Sequence, residues 1–246
     1  MSRFGYTSPS LLDGFRGRLN VSHSESVWVI IPAQNEAASI AEVVRRAKLY
    51  AEQVVVVDDA STDDTASLAR AAGALVLPLV TPLDAWCATQ TGLRYARARG
   101  ARLVVSLDAD GQHPPEAIPA LVKPVREGQA EVAIGSDPAR VSHYRHMAWG
   151  YLRAVTGLSV ADLTSGFRVY GPKALDILVR REASSLNYQD VGVLMMLREA
   201  GLSMTEVPVT MGPRLFGASH VFRSWVKVAA YMLESSVLGL ARRSRA

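Results

Sequence analysis

The chain has 246 residues, 49% of them apolar and 20% charged, with 27 Lys and Arg against 23 Asp and Glu for a net charge of +4. This balance excludes a disordered tail and a low-complexity scaffold, and the length suits one large α/β domain or two small ones. The single cysteine, Cys87, excludes an internal disulfide and favours a reducing, cytoplasmic compartment.

Residues 1–24, rich in Ser, Gly and Arg, read as a flexible N-terminal arm, with no apolar run of leader length. Residues 27–31 (VWVII) read as a buried strand, and 38–51 as a helix with Ile40, Val43, Val44, Ala47 and Ala51 on one face. Residues 54–57 (VVVV) form a second strand. Ser61-Thr-Asp-Asp64 reads as a capping box, with Ser61 as N-cap, opening a helix to Ala72. A third strand at 74–79, a helix at 85–99 and a fourth strand at 103–107 (LVVSL) follow. Beyond them the pattern predicts a strand at 131–135, a helix at 142–156, a short strand at 167–170 and a short helix at 173–181. A helix at 191–200 closed by Gly201, a last strand at 207–211 and an amphipathic helix at 221–240 complete the chain. Arg223, Lys227 and Glu234 interrupt that last stretch, so it is not a spanning helix, which needs ~20 mostly uncharged apolar residues.

Continuous apolar strands alternating with amphipathic helices predict an α/β domain over 25–220, with a mostly parallel central sheet covered on both faces. Residues 221–246 are then a C-terminal helical extension with a basic tail, Arg242, Arg243 and Arg245. In parallel sheets ligands bind beyond the carboxyl ends of the strands. There the first strand runs into Pro32-Ala-Gln-Asn-Glu36, the second into Asp58-Asp-Ala-Ser61, and the fourth into Asp108-Ala-Asp-Gly-Gln-His113. A single strand-end Asp is commonly a helix cap. Three acidic clusters at one edge repel one another unless a cation or donors relieve them. Asp108 and Asp110 alternate on an extended segment, so they point the same way, with Gln112 adding a neutral oxygen. Such oxygen ligands suit Mg²⁺ or Mn²⁺ shared with phosphate.

No G-x-G-x-x-G follows the first strand, no phosphate-binding G-x-x-x-x-G-K-[ST] occurs, and no G-x-S-x-G elbow occurs. Cys87 and the scattered histidines give no zinc spacing. The pI of about 9.4 admits an anionic partner. No basic-aromatic interleaving supports nucleic acid.

The motifs taken together resemble the family two glycosyltransferases of GT-A fold, nearest the dolichol-phosphate mannose synthase and polyprenyl-phosphate glycosyltransferase branch. The resemblance spans about residues 27–233. It rests on the three strand-end motifs, on Asp162-Leu-Thr-Ser-Gly-Phe-Arg168, on Glu206-Val-Pro208 and on Arg214-Leu-Phe-Gly-Ala-Ser219. It implies an inverting, metal-dependent transfer of a sugar from a nucleoside diphosphate sugar, carried by GDP or UDP. Pro32, Ala33 and Glu36 would line base and ribose, Asp59 would contact the base, and Asp108 would hold sugar-diphosphate. Asp108, Asp110 and Gln112 would bind Mg²⁺ or Mn²⁺, with Asp110 also a catalytic candidate. Ser165, Arg168, Arg214, Ser219 and His220 would face phosphate or acceptor, and arginine suits that task because its fork donates bidentately.

The acceptor is left between two classes. A polyprenyl phosphate is already anionic and needs no base, since its second pKa is about 6. A soluble hydroxyl compound needs one, and Asp190, in Asn187-Tyr-Gln-Asp190, is the candidate; a helix cap is its equal alternative. Four departures from the branch pattern keep the soluble acceptor open. Residues 82–90 (PLDAWCATQ) replace a Gly-rich segment, and Asp137 replaces Arg after Gly-Ser. Asp190 and Gly192 replace Gln and Glu, and His220 replaces Lys. The apolar stripe of 221–240 predicts packing on the core or a second subunit, or peripheral contact with the cytoplasmic membrane face. A haloacid-dehalogenase-type phosphatase, which also uses Asp-x-Asp after a strand, is the distant alternative.

Overall fold

The computed structural model describes residues 26–137, 143–185, 191–213, 233, 236 and 237. Seven strands form one sheet: β1 (Val27–Ala33), β2 (Gln53–Asp58), β3 (Leu75–Pro78), β4 (Leu103–Ser106), β5 (Val132–Ser136), β6 (Arg168–Tyr170) and β7 (Met204–Pro208). Their order is β3-β2-β1-β4-β6-β5-β7. All neighbours are parallel except β6, which runs antiparallel to β4 and β5. Ala33 pairs with Asp58, and Ser106 with Arg168, so the ends of β1, β2 and β4 share one edge with the start of β6.

Helices α1 (Ile40–Ala47), α2 (Thr65–Ala71), α3 (Ala85–Ala98), α4 (Ile118–Arg126), α5 (His143–Thr156), α6 (Pro172–Leu178) and α7 (Val191–Glu199) cover the sheet among the described residues. Alternation along each strand divides the core in two. Ile30, Val55, Val57, Val104 and Tyr170 face α3, α5, α6 and α7, through Trp86, Leu93, Trp149, Leu175 and Leu194. Val29, Ile31, Val54, Val56 and Val105 face α1, α2 and α4, through Val43, Val44, Ala69, Leu121 and Val122. The unbroken valines of β2 thus serve both layers, as expected of a strand in a doubly covered sheet.

α3 lies close on the sheet because Gly92 is buried in it, and a Cβ there would stand 2.3 Å from Ile30 Cγ2. The N-cap of α3 is Asp84, whose carboxylate accepts the Trp86 and Cys87 N–H groups.

Four sequence expectations are corrected. Ser61 does not cap α2. The helix begins at Thr65 after Asp64, without a side-chain cap, because the Ser61 hydroxyl accepts the Asn35 N–H at 2.9 Å instead. The last strand is Met204–Pro208 rather than 207–211, since its register on β5 runs from Met204 on Val132 to Pro208 on Ser136. α4 was not anticipated, although Ile118, Leu121, Val122 and Val125 are its buried stripe. Pro119 falls in its first turn, where no N–H is required, and Pro124 lies inside it, so two helix-breaking residues obscure the period. The first helix is shorter than 38–51, ending at Ala47 with cap Lys48. The predicted arm of 1–24 and the helix of 221–240 lie outside the described residues, apart from 233, 236 and 237, which are helical.

Candidate active site

The loops after β1 and β2 are laced together before any ligand is considered. Asn35 takes a positive φ of 55° and its side-chain oxygen accepts the Thr62 N–H at 2.8 Å. The Glu36 N–H donates to Thr65 Oγ1, and the Ala37 N–H to Asp63 Oδ2. Burial works to raise the Asp63 pKa, but the Thr65 hydroxyl and the Thr65 and Ala37 N–H groups hold it below the usual carboxylate range. Gln34 Nε2 donates to the Asp59 carbonyl. Pro32 and Glu36 are half-buried and Ala33 is buried, so this stretch forms a stiff wall at the sheet edge. The Glu36 carboxylate accepts from the Ser39 hydroxyl at 3.1 Å.

Asp58 and Asp59 are both buried. Asp59 accepts the Leu83 N–H at 2.7 Å and the Asp84 N–H at 3.1 Å. Burial pushes its carboxyl above the usual range, while those two donors pull it down. The residue expected to read a base thus also anchors the loop that leads into α3.

The turn after β4 holds the paired carboxylates. Asp110 is 3% exposed and its Oδ1 accepts the Gln112 N–H at 3.0 Å. The Asp108 side chain is 42% exposed. The turn closes on His113, a buried imidazole whose Nδ1 accepts the Asp108 N–H at 3.1 Å. Behind it, the helical turn Pro115–Ala117 is clamped to α1 by a two-bond ion pair between Arg46 and Glu116. The donor set, two carboxylates and one amide on a single turn, is all oxygen. Among the described residues no group of three His, Cys, Asp or Glu could cage a metal. That combination fits Mg²⁺ or Mn²⁺, which take one or two protein carboxylates and fill the remaining positions with phosphate and water.

The segment entering β6 is organised from β7. Glu206 accepts the Ala161 and Asp162 N–H groups, each at 2.9 Å. Asp162 Oδ1 accepts the Thr164 and Ser165 N–H groups, and Ser165 Oγ accepts the Phe167 N–H. Ser165 is therefore a buried brace of this loop. Arg168, expected to face phosphate, is fully buried and donates from Nη2 to the Leu163 carbonyl at 3.2 Å. After β7 the chain returns to the Asp108–Gln112 turn, with the Gly212 N–H donating to the Gln112 carbonyl at 2.9 Å. Asp137, the acidic replacement after Gly-Ser, accepts the Met211 N–H at 2.8 Å. Its role here is to tie down the segment that follows β7. Asp190, Arg214, Ser219 and His220 lie outside the described residues.

The replaced Gly-rich segment is a packed helix start. Trp86 is 1% exposed and its indole N–H donates to the Ala183 carbonyl at 2.7 Å. Gln90 donates to the Leu178 and Arg180 carbonyls and accepts from the Ser184 hydroxyl. These contacts fix the helical turn Arg181–Ser185, five residues before Asp190. Sequence reasoning quoted the segments that hold His113, Trp86 and Glu206 but gave none of these three side chains its task, because their partners lie in other segments.

The family model described as Glycosyl transferase family 2 matches residues 28–183. A polyprenol monophosphomannose synthase from Mycolicibacterium smegmatis is 28% identical over 245 residues, 92% of this chain and 92% of that protein. An undecaprenyl-phosphate mannosyltransferase from Micrococcus luteus is 32% identical over 215 residues, 79% of this chain and 87% of that protein. The crystal structure of glucosyl-3-phosphoglycerate synthase from Mycobacterium tuberculosis with Mn²⁺, UDP-glucose and phosphoglyceric acid has a TM-score of 0.64. It covers 98% of this chain and 85% of that one at 22% identity, which is a likeness of fold. The similarity in sequence is to proteins of the polyprenyl-phosphate branch, and the phosphatase alternative falls away. Because the family model matches residues 28–183, a range that includes the strand ends from Pro32 to Arg168, the chain belongs to glycosyl transferase family 2 and is a glycosyltransferase of GT-A fold.

Proposed function

We propose that the protein transfers a sugar, with inversion at the anomeric carbon, from a nucleoside diphosphate sugar to a polyprenyl phosphate. The observation that carries this reading is the meeting of two acidic strand ends at one sheet edge. Asp58 and Asp59 are laced to the Pro32–Glu36 wall, and Asp108 and Asp110 are held on the neighbouring turn. The first pair and its wall suit a base and ribose. The second suits a divalent cation on the diphosphate, and Mn²⁺ with UDP in the glucosyl-3-phosphoglycerate synthase structures supports that choice. A bound cation would neutralise charge growing on the leaving diphosphate. Asp108, Asp110 and Gln112 would hold and orient it.

Two proteins named for polyprenyl or undecaprenyl phosphate, similar over most of their length, support the acceptor. A phosphate acceptor arrives ionised and needs positioning by cationic groups, for which Arg214, Ser219 and His220 are the candidates. A soluble hydroxyl acceptor is the second reading. It is favoured by Trp86 closing the start of α3 and by Asp137 standing where a cation would meet a lipid phosphate. In that reading Asp190 is the base.

The deciding experiment incubates the full chain and Asp110→Ala with labelled GDP- and UDP-sugars, Mn²⁺ or Mg²⁺, and a short polyprenyl phosphate. Label passing into the solvent-extractable lipid, lost in Asp110→Ala, is expected. Label passing only to water-soluble products, from any donor, would overturn the lipid acceptor. Among the described residues no helix is long and apolar enough to cross a membrane. Flotation with anionic vesicles, with and without residues 221–246, tests the proposed peripheral contact.

A further inference from the structure

His113 has a position that neither the fold nor the metal turn requires by itself. It is 5% exposed, and its ring stacks on Phe167 with centroids 5.2 Å apart and planes 15° from parallel. Its Nδ1 accepts the Asp108 N–H at 3.1 Å. A backbone N–H can only donate, so Nδ1 carries the lone pair and the ring proton sits on Nε2. The same Nδ1 lies 3.6 Å from Asp108 Oδ2, beyond hydrogen-bond range, and in this tautomer has no proton to offer it. The ring therefore grips the Asp108 main chain without competing for its carboxylate.

Phe167, on the other face of the ring, is itself immobilised. It is fully buried, its N–H is held by Ser165, and its carbonyl accepts the Gly135 N–H at 2.8 Å. A Cβ on Gly135 would stand 2.9 Å from Phe167 Cδ1, so the phenyl ring lies close against β5 in space that only glycine leaves open. A chain of contacts thus runs from Glu206 through Asp162, Ser165, Phe167 and His113 to Asp108. Each link except the ring stack is a hydrogen bond.

We infer that His113 is a positioning residue for the cation site: by accepting the Asp108 N–H through Nδ1 it sets the direction in which the Asp108 carboxylate meets the metal. The inference rests on the reading of Asp108 and Asp110 as the cation site. It assigns a task to a histidine that would otherwise be a core residue. It also explains why a buried polar ring, rather than an aliphatic side chain, fills this place.

The test uses side-chain geometry. An Asn side chain can put its oxygen where Nδ1 stands, whereas Gln carries its amide one bond further, to the place of Nε2. Phe keeps the stack and removes the acceptor. Mn²⁺ is titrated into the full chain with GDP or UDP present, and free Mn²⁺ is followed by electron paramagnetic resonance. Wild type and Asp110→Ala establish the site. Melting temperature is recorded for every variant. His113→Asn is expected to bind Mn²⁺ within about threefold of wild type, and His113→Gln and His113→Phe about tenfold more weakly, as for one lost hydrogen bond at a partly buried donor. Equal affinity for the Asn and Gln variants, or wild-type affinity for the Phe variant, would overturn the inference. If His113→Phe fails to fold, the Asn and Gln pair decides alone. Mn²⁺ binding that Asp110→Ala leaves unchanged would instead refute the cation site itself, and the role of His113 with it.

Discussion

Replacing Gly92 with Ala sets two effects of known size against each other. In the interior of a 14-residue helix, Ala is favoured over Gly by about 1 kcal/mol. Against this stands the approach of α3 to β1. The new Cβ would lie 2.3 Å from Ile30 Cγ2, 3.1 Å from Val57 Cγ2 and 3.3 Å from Ile30 Cδ1. Carbon atoms in contact prefer roughly 3.5–4.0 Å, so the nearest methyl must move by more than 1 Å. Ile30 and Val57 are both fully buried and β-branched, with few alternative rotamers. Overpacking of this kind costs about 1–3 kcal/mol and occasionally more. A 2.3 Å approach to a β-branched methyl belongs in the upper part of that range, about 2–3 kcal/mol, so the clash wins with a net loss of about 1–2 kcal/mol, or roughly 2–8 °C in melting temperature for a chain of this size. Thermal melting by circular dichroism and urea midpoints measure it. In an Ile30→Ala background, itself destabilised by the lost core volume, Gly92→Ala should cost less than it does alone, because the new methyl then enters the cavity. A rise in melting temperature for Gly92→Ala alone would show that α3 does not sit where the close approach puts it.

Trp86→Phe strands the buried Ala183 carbonyl and should lower stability by roughly 2 kcal/mol, about 4–8 °C in melting temperature; an unchanged melt would mean that the indole bond contributes nothing. Glu206→Gln gives one of the Ala161 and Asp162 N–H groups an amide N–H₂ to face, so hydrogen exchange at those two amides should quicken while β1 and β2 stay protected. Ser203 and then Lys173 hold Glu131 at a pKa of about 2 against an ordinary 4.5. Its contribution to stability is therefore complete above about pH 4.5 and disappears as the pH falls towards 2, and Glu131→Gln should flatten that part of the acid limb in urea midpoints taken across it. Gly135→Ala would press on the Phe167 ring and through it on His113, so Mn²⁺ affinity should weaken along with stability; a loss of stability alone would break that connection.

The parallel sheet was readable because each strand is a short apolar run serving two layers, as in Val54–Val57, and a run of that kind admits few other structures. α4 was not, since Pro119 and Pro124 spoil the helical appearance of a stripe that is regular in itself. The capping box failed for a different reason. Ser61 has the right chemistry for a cap, but a residue 26 positions earlier, Asn35, claims its hydroxyl. Local pattern cannot register such a competitor. β7 was displaced because Thr205 and Glu206 read as loop residues, whereas Glu206 is polar in order to hold Ala161 and Asp162. The same limit applies to the site. Asp108 and Asp110 announce themselves by spacing, but the burial of Arg168 and the anchoring of Trp86 depend on segments distant in the chain.

The reversal of β6 decides which parts of the chain can reshape this edge. Every other strand delivers its following loop to the edge, whereas β6 delivers the loop that precedes it and exits at the far edge through Gly171 directly into α6. Lengthening the chain between α5 and β6 would therefore alter the edge that carries Asp58, Asp59, Asp108 and Asp110. The same insertion between β6 and α6 would be felt only at the opposite end of the sheet. A tag or fusion that must leave that acidic edge undisturbed belongs on the β6–α6 side, since the loop preceding β6 is itself braced by Glu206 and Asp162.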